Sequence, residues 1–486
     1  MKAPHSRARR AAAVAVVALS AAAGGALAQP ASAAGSEGSY IVLAPEGQGT
    51  ARAVTALSRA GAQVVADYKQ IGVVVARATS AQADAVRRAG VGEVGATDGL
   101  GTKIDEGETV ATETPAATST TASPTDEPLW SYQWDMRAIG VEQAQQVTQG
   151  SKDVVVGVLD SGIAAAHPDL AGQVDPSLSA SCLGGTTDTS YAAWQPTTSD
   201  HGTHVAGTIA AKDDEVGIVG VAPGVTLAAV KVVDDDGYIF PEAAVCGFMW
   251  AAQHGFDLTN NSYYIDPWQF NCRNDAEQRA IWTAVQRAIR YSESRGVLNV
   301  ASAGNSNVDL QHTLTDSSSP DNSTPVTREV TAACLDLPAE APGVVTVSAT
   351  GYTNKKSYYS SYGQGVVDVA APGGDTRVRD YHVSTISDAV LSTGLSNGTP
   401  VWNWKQGTSM ASPHATGVAA LALSAHPGLT ASGLETYLER TADPLACPEG
   451  VYDPRPGMDQ YKATCTGGEV NSFYGHGLVD AAAAVR

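Results

Sequence analysis

Val154-Val-Val-Gly-Val-Leu-Asp160-Ser-Gly162 is an unbroken apolar run that stops on a carboxylate and a turn signal. A run of strand length with no polar alternation suits a strand buried on both faces, as in a parallel sheet. The same signature returns at 227–233, 297–301 and 344–347, and helical stretches separate these runs at 241–254, 276–295 and 411–425. The alternation predicts an α/β domain with a doubly wound, mostly parallel sheet and its chemistry at the carboxyl ends of the strands. Polar inserts near 181–199 and 305–342 interrupt it.

Working outward toward the N-terminus, residues 40–97 read as strand, helix, strand, strand, helix and a short strand near 91–94. That is a small ferredoxin-like α+β unit without a catalytic-looking cluster. Residues 99–128 then become rich in Thr, Ala, Pro and Glu, too poor in apolar residues for a core, and read as a disordered linker. The first 33 residues carry Lys2, Arg7, Arg9 and Arg10, no acid, an Ala/Val/Leu run from Ala11, and small-residue cleavage patterns at Ala26-Leu-Ala28 and Ala31-Ser-Ala33. This is the layout of a secretory signal peptide; a membrane anchor is the competing reading, weakened by Gly24-Gly25. The expected division is therefore 1–33 leader, 34–98 ferredoxin-like unit, 99–128 linker and 129–486 main domain.

The 486 residues are 43% hydrophobic and carry 30 Lys+Arg against 50 Asp+Glu, a formal charge of −20. A large core is attainable, and the acidic balance argues against a nucleic-acid partner. The six cysteines contain no CxxC pair, which excludes zinc-ribbon and redox-motif readings. An even count in an exported chain favours disulfides, and Cys447 with Cys465 is the first pair to try because both flank a Pro/Gly-rich loop.

Three segments carry chemistry. Asp160 lies at the lip of its strand, where a turn-forming role competes with a catalytic one. His201 opens His201-Gly-Thr-His-Val-Ala-Gly-Thr; His204 stands three residues on, so a zinc site is the runner-up reading, but no HExxH pattern exists. Ser409 sits in Gly407-Thr-Ser-Met-Ala-Ser-Pro-His414, where a loop enters a small-residue helix; the bland alternative is a helix-capping serine.

Taken together, in the order Asp, His, Ser, these motifs resemble the subtilase family of subtilisin-like serine peptidases. The resemblance spans roughly 151–486 and extends to Val219-Gly-Val-Ala-Pro-Gly, Ala301-Ser-Ala-Gly-Asn305, Ser360-Ser-Tyr-Gly, Val369-Ala-Ala-Pro-Gly and Tyr474-Gly-His-Gly-Leu-Val. The closing motif lies so near Arg486 that no further domain is expected after it. The family implies Ser409 as nucleophile, His201 as general base then acid, Asp160 as the group that holds the imidazole tautomer, and Asn305 as the oxyanion-hole donor. His204 becomes a structural neighbour. The ferredoxin-like unit resembles the family propeptide in position and layout, which implies a zymogen with its own propeptide as intramolecular inhibitor. In the family, the strand lining the specificity pocket usually reads Ser-Leu-Gly-Gly; here it reads Ser262-Tyr-Tyr264-Ile265, which suggests a narrowed groove unless Tyr264 turns outward. Lys212-Asp-Asp-Glu-Val-Gly-Ile218 has the length of the family calcium loop, and Asp169 and Asp214 could serve it; an acidic solvated turn explains the same residues. No cofactor is required for the chemistry itself.

The sequence therefore predicts a secreted, monomeric serine endopeptidase acting on protein or peptide substrates, without a membrane anchor. A narrow processing peptidase for one peptide partner is the second reading, and an exported, catalytically silent binding protein the third.

Overall fold

Alternating apolar residues and two well-stopped helices build the N-terminal unit. It runs β1 (Gly38–Leu43), α1 (Ala51–Ala60), β2 (Gln63–Tyr68), β3 (Val73–Ala78), α2 (Ser80–Arg88) and β4 (Glu93–Ala96). α1 ends at Gly61, whose φ of 76° is left-handed. α2 starts at Thr79, which exchanges a capping box with Gln82. The strands pair antiparallel in the order β2-β3-β1-β4, the ferredoxin-like arrangement. Strand alternation divides the apolar side chains: Val42, Val74 and Ala76 face the two helices, while Ile41, Leu43 and Val73 join the core of the main domain. Burying each of those side chains contributes about 1.5–3 kcal/mol. In the computed structural model the described residues are 37–97, 108–111, 127–266, 268–312, 314–319, 325–377 and 388–486. The expected leader, 98–107 and 112–126 of the linker region, and a few loop residues lie outside them.

The main domain follows as β5 (Glu108–Ala111), β6 (Val155–Asp160), α3 (His201–Ala210), β7 (Thr226–Lys231), α4 (Pro241–Gln253), β8 (Leu258–Asn261), β9 (Phe270–Cys272), α5 (Ala276–Ser294), β10 (Leu298–Ser302), β11 (Cys334–Asp336), β12 (Val344–Thr350), β13 (Val369–Pro372), β14 (Val390–Ser396), β15 (Thr399–Gln406) and α6 (Thr408–Ala425). Its sheet has the order β13-β12-β10-β8-β6-β7 plus a two-residue edge strand at Ala180–Ser181, with every pairing parallel. Every strand expected from an apolar run is there. The chain leaves β6 toward β7 on one side and crosses back to β8 on the other. This switch leaves a crevice at the carboxyl ends of the strands.

β5 lies where a structureless linker was expected, paired antiparallel with the C-terminal part of β15. An open strand edge accepts any short extended segment with Thr and Val in it. α6 begins three residues earlier than the 411–425 pattern, at Thr408, and contains Pro413. Three disulfides tie loops to this frame: Cys182–Cys246, Cys272–Cys334 and Cys447–Cys465, the last being the expected pair.

The N-terminal sheet rests on α4 and α5. Arg279 Nε contacts Glu93 Oε2 at 2.9 Å, Arg287 Nη1 donates to the carbonyls of Ala44 and Ile71, and Tyr68 donates to the Gly185 carbonyl. A methyl group at Gly95 would lie 2.8 Å from the Glu277 carbonyl, so β4 meets α5 at backbone distance.

Candidate active site

Asp160 is the last residue of β6 and His201 the first of α3, and the fold brings them together. His201 Nδ1 stands 2.9 Å from both Asp160 carboxylate oxygens. Both side chains are fully buried. The approach depends on Gly202, since a methyl group there would sit 2.5 Å from the Gly162 carbonyl and 3.0 Å from Asp160 Cβ. Asp200, just before α3, accepts from Leu395 N–H, Asn403 Nδ2 and Lys405 Nζ, which anchors the helix start to the β14–β15 hairpin.

Ser409 is the second residue of α6. Its Oγ donates to the Ser262 carbonyl at 3.2 Å, and His201 Nε2 is buried without a partner. The Asp160–His201 half of the set is thus closed, whereas the His201–Ser409 hydrogen bond is not made. In substrate-free sites such bonds are often long and tighten when substrate arrives. Asn305 follows β10. Its Oδ1 accepts from Thr408 N–H at 2.8 Å and Thr408 Oγ1 at 2.9 Å. Those two donors hold the carboxamide oxygen, which leaves the amide N–H₂ for another acceptor beside Ser409.

His204 lies one helical turn on from His201, fully buried, and its pKa falls to about 3, first through burial and then through the charge of Lys405. Among the described residues no group of three or more His, Cys, Asp or Glu side chains is placed to hold a metal, so the two histidines lack the further ligands a zinc site needs.

A family model for the subtilase family matches residues 151–477. The chain belongs to the subtilase family. The members of that family are serine endopeptidases. Fervidolysin from Fervidobacterium pennivorans is 33% identical over 344 residues, 67% of this chain and 42% of the relative. Subtilisin DY from Bacillus licheniformis is 34% identical over 299 residues, 61% of this chain and 87% of the relative. Among solved structures, an epidermin leader peptide processing serine protease from Staphylococcus aureus superposes with a TM-score of 0.66 over 93% of this chain and 98% of its own, at 20% identity. That likeness concerns the fold.

In this subtilase the segment after β8 carries two tyrosines. Tyr263 is buried, with its hydroxyl donating to Asn261 Oδ1 at 3.0 Å; burial and then the Asp160 charge raise its pKa well above the usual value. Tyr264 is half-buried. The acidic loop 212–218 brings in a residue the sequence reading missed. Glu127 Oε1 accepts the N–H groups of Asp214 and Glu215, and its Oε2 is buried without a partner, as is Asp169 Oδ1. Burial raises both carboxyls to about 7; the Asp169 charge adds to the rise at Glu127, and the Asp214 charge adds to the rise at Asp169. Asp214 pairs with Lys212. Two buried carboxylates, each with an orphaned oxygen, beside an acidic loop fit a hard cation. Glu127 could have been found only as an acid preceding Pro128-Leu129; nothing local marks it as facing Asp169.

Proposed function

We propose that this subtilase is a secreted serine endopeptidase made as a zymogen. Ser409 attacks the peptide carbonyl, His201 Nε2 takes the proton and later returns it to the leaving amine, and Asp160 holds His201 Nδ1 protonated. Asn305 and the Ser409 N–H take the oxyanion. The closed Asp160–His201 pair, 2.9 Å apart at the end of a buried parallel strand, carries this reading. Residues 34–98 serve as the propeptide and inhibitor, a role supported by their seat on α4 and α5 and by β5 beside the strand that leads into Ser409. A structural calcium ion is proposed at Glu127, Asp169 and the loop carbonyls after Lys212. It would neutralise the two acids and hold the loop.

A narrow processing peptidase is the second reading, favoured by Tyr264 where the family has glycine. A fluorophosphonate probe tests the proposal directly: secreted, matured protein is expected to label, and Ser409→Ala to remain unlabelled. An unlabelled wild type would leave a silent binding protein. N-terminal sequencing that found the secreted chain still starting at the leader junction would remove the zymogen claim, and a broad peptide-cleavage profile would remove the processing reading.

A further inference from the structure

The proposed chemistry leaves two neighbouring acids without a role, one buried and one half-buried. Asp336 ends β11, and Glu340 Oε2 accepts its N–H at 2.7 Å. Asp336 is 3% exposed. Burial and then the Glu340 charge push its carboxyl well above the usual range, and burial puts Glu340 at about 7. Among the described residues no Lys or Arg is paired with either acid. Arg328, on the same insert, is committed to Asp316 at 2.9 Å and to the Trp268 ring at 4.5 Å. An acid as deep as Asp336 without a counter-charge is costly to keep for stability alone.

Their location is the floor of the crevice. One wall is the segment after β8, and there the Ile265 N–H donates to the Leu337 carbonyl at 2.8 Å. The other wall is the segment after β10. A methyl group placed on the Gly304 α-carbon would sit 3.5 Å from Ser361 Oγ and 3.7 Å from Asp336 Oδ2. Ser361 Oγ is buried and has no partner, so it points into the same space as the Asp336 carboxylate. Gly304 has φ +92°, a conformation that excludes a side chain and keeps this space open. Gly304 directly precedes Asn305. A peptide whose carbonyl carbon meets Ser409 and whose oxygen meets Asn305 therefore sends the side chain before the scissile bond past Gly304, toward Asp336 and Ser361.

We propose that Asp336, backed by Glu340 and the Ser361 hydroxyl, sets specificity by receiving a cationic side chain, arginine or lysine, on the residue before the scissile bond. The proposal rests on the endopeptidase reading above and names its substrate class. The aliphatic stem of such a side chain lies between the two walls, and its charged N–H groups supply the donor that Ser361 lacks and the counter-charge that Asp336, whose only side-chain donor among the described residues is the neutral Gln269, does without. An apolar side chain leaves the carboxyl without a counter-charge and the hydroxyl unpaired, the situation in which a polar pocket discriminates most strongly.

The experiment uses matured protein whose Ser409 is first counted with a fluorophosphonate. Rates are then measured on peptides that differ only before the scissile bond, carrying Arg, Lys, Leu, Phe or Glu. Arg and Lys peptides are expected to exceed Leu and Phe by about 100-fold in kcat/KM. Asp336→Asn is expected to lower the Arg-to-Leu ratio of kcat/KM about 100-fold, in matured protein that still labels at Ser409. Arginine amide, which needs no variant to fold, is expected to inhibit the wild type competitively where leucine amide does not. A labelled wild type that cleaves Leu or Phe as well as Arg overturns the proposal, as does an unchanged Arg-to-Leu ratio in Asp336→Asn. Failure to label overturns the endopeptidase reading and the proposal with it.

Discussion

Ser262 and Ser409 exchange hydrogen bonds: Ser262 Oγ donates to the Ser409 carbonyl at 3.1 Å, and Ser409 Oγ donates to the Ser262 carbonyl at 3.2 Å. The first has a covalent origin. Pro413 has no N–H, so the Ser409 carbonyl lacks the partner that an α-helix supplies four residues on. Ser262 fills that place from the segment after β8. Its hydroxyl is itself held by Asn260 Nδ2 and Ser412 Oγ, which binds the crevice wall to the start of α6.

Ser262→Ala should leave that buried carbonyl unpaired and cost about 1–3 kcal/mol. Adding Pro413→Ala restores an N–H at position 413, and the double variant should recover at least half of the loss. Urea unfolding of the four proteins of this cycle measures it; a double variant no more stable than Ser262→Ala would refute the compensation.

Asp160→Asn keeps the shape of the site but stabilises the wrong imidazole tautomer, and kcat on a peptide substrate should fall about 10⁴-fold. Asn305→Ala removes one oxyanion donor and should lower kcat about 10²–10³-fold, the range for removing such a donor in subtilisin. KM should change little in either variant.

Calcium at Glu127 and Asp169 should make thermal stability sensitive to chelator. At a free concentration 100 times Kd the ion contributes about 2.7 kcal/mol, so the melting temperature should drop on chelation and return with Ca²⁺ but not with Mg²⁺. Glu127→Gln should show a smaller drop. Melting that ignores chelator in the wild type would remove the site.

Lys356 gives a pH dependence. It is fully buried, with Nζ 2.6 Å from Asn307 Oδ1, and burial lowers its pKa to about 7, partly opposed by Asp375. The unfolded chain keeps this proton up to about 10.5. Between about pH 7 and 10.5 the unfolded state therefore binds more protons, and the contribution of Lys356 to stability rises with pH; below 7 it is constant and least favourable. Lys356→Met lacks this slope, so its stability relative to wild type should be highest near pH 6 and decline toward pH 10, as denaturant titrations across that range would read. A difference independent of pH would contradict the neutral buried amine.

By itself the sequence determined the strands, because residues such as Val154–Leu159 are apolar on both faces and fit only a sheet covered on both sides. It also determined the chemistry-bearing motifs, because each of them is local: a carboxylate ending a strand, a histidine opening a helix beside Gly202, a serine entering α6. Tertiary structure alone decided what those motifs meet. The Asp169 charge acts on Glu127 across 42 positions, Ser262 supports the Ser409 carbonyl across 147, and Asp336 returns from a polar insert to lie beside Gly304. Side-chain hydrogen bonds and buried charges act over a few ångströms of space, not of chain, and no periodicity in the sequence records them.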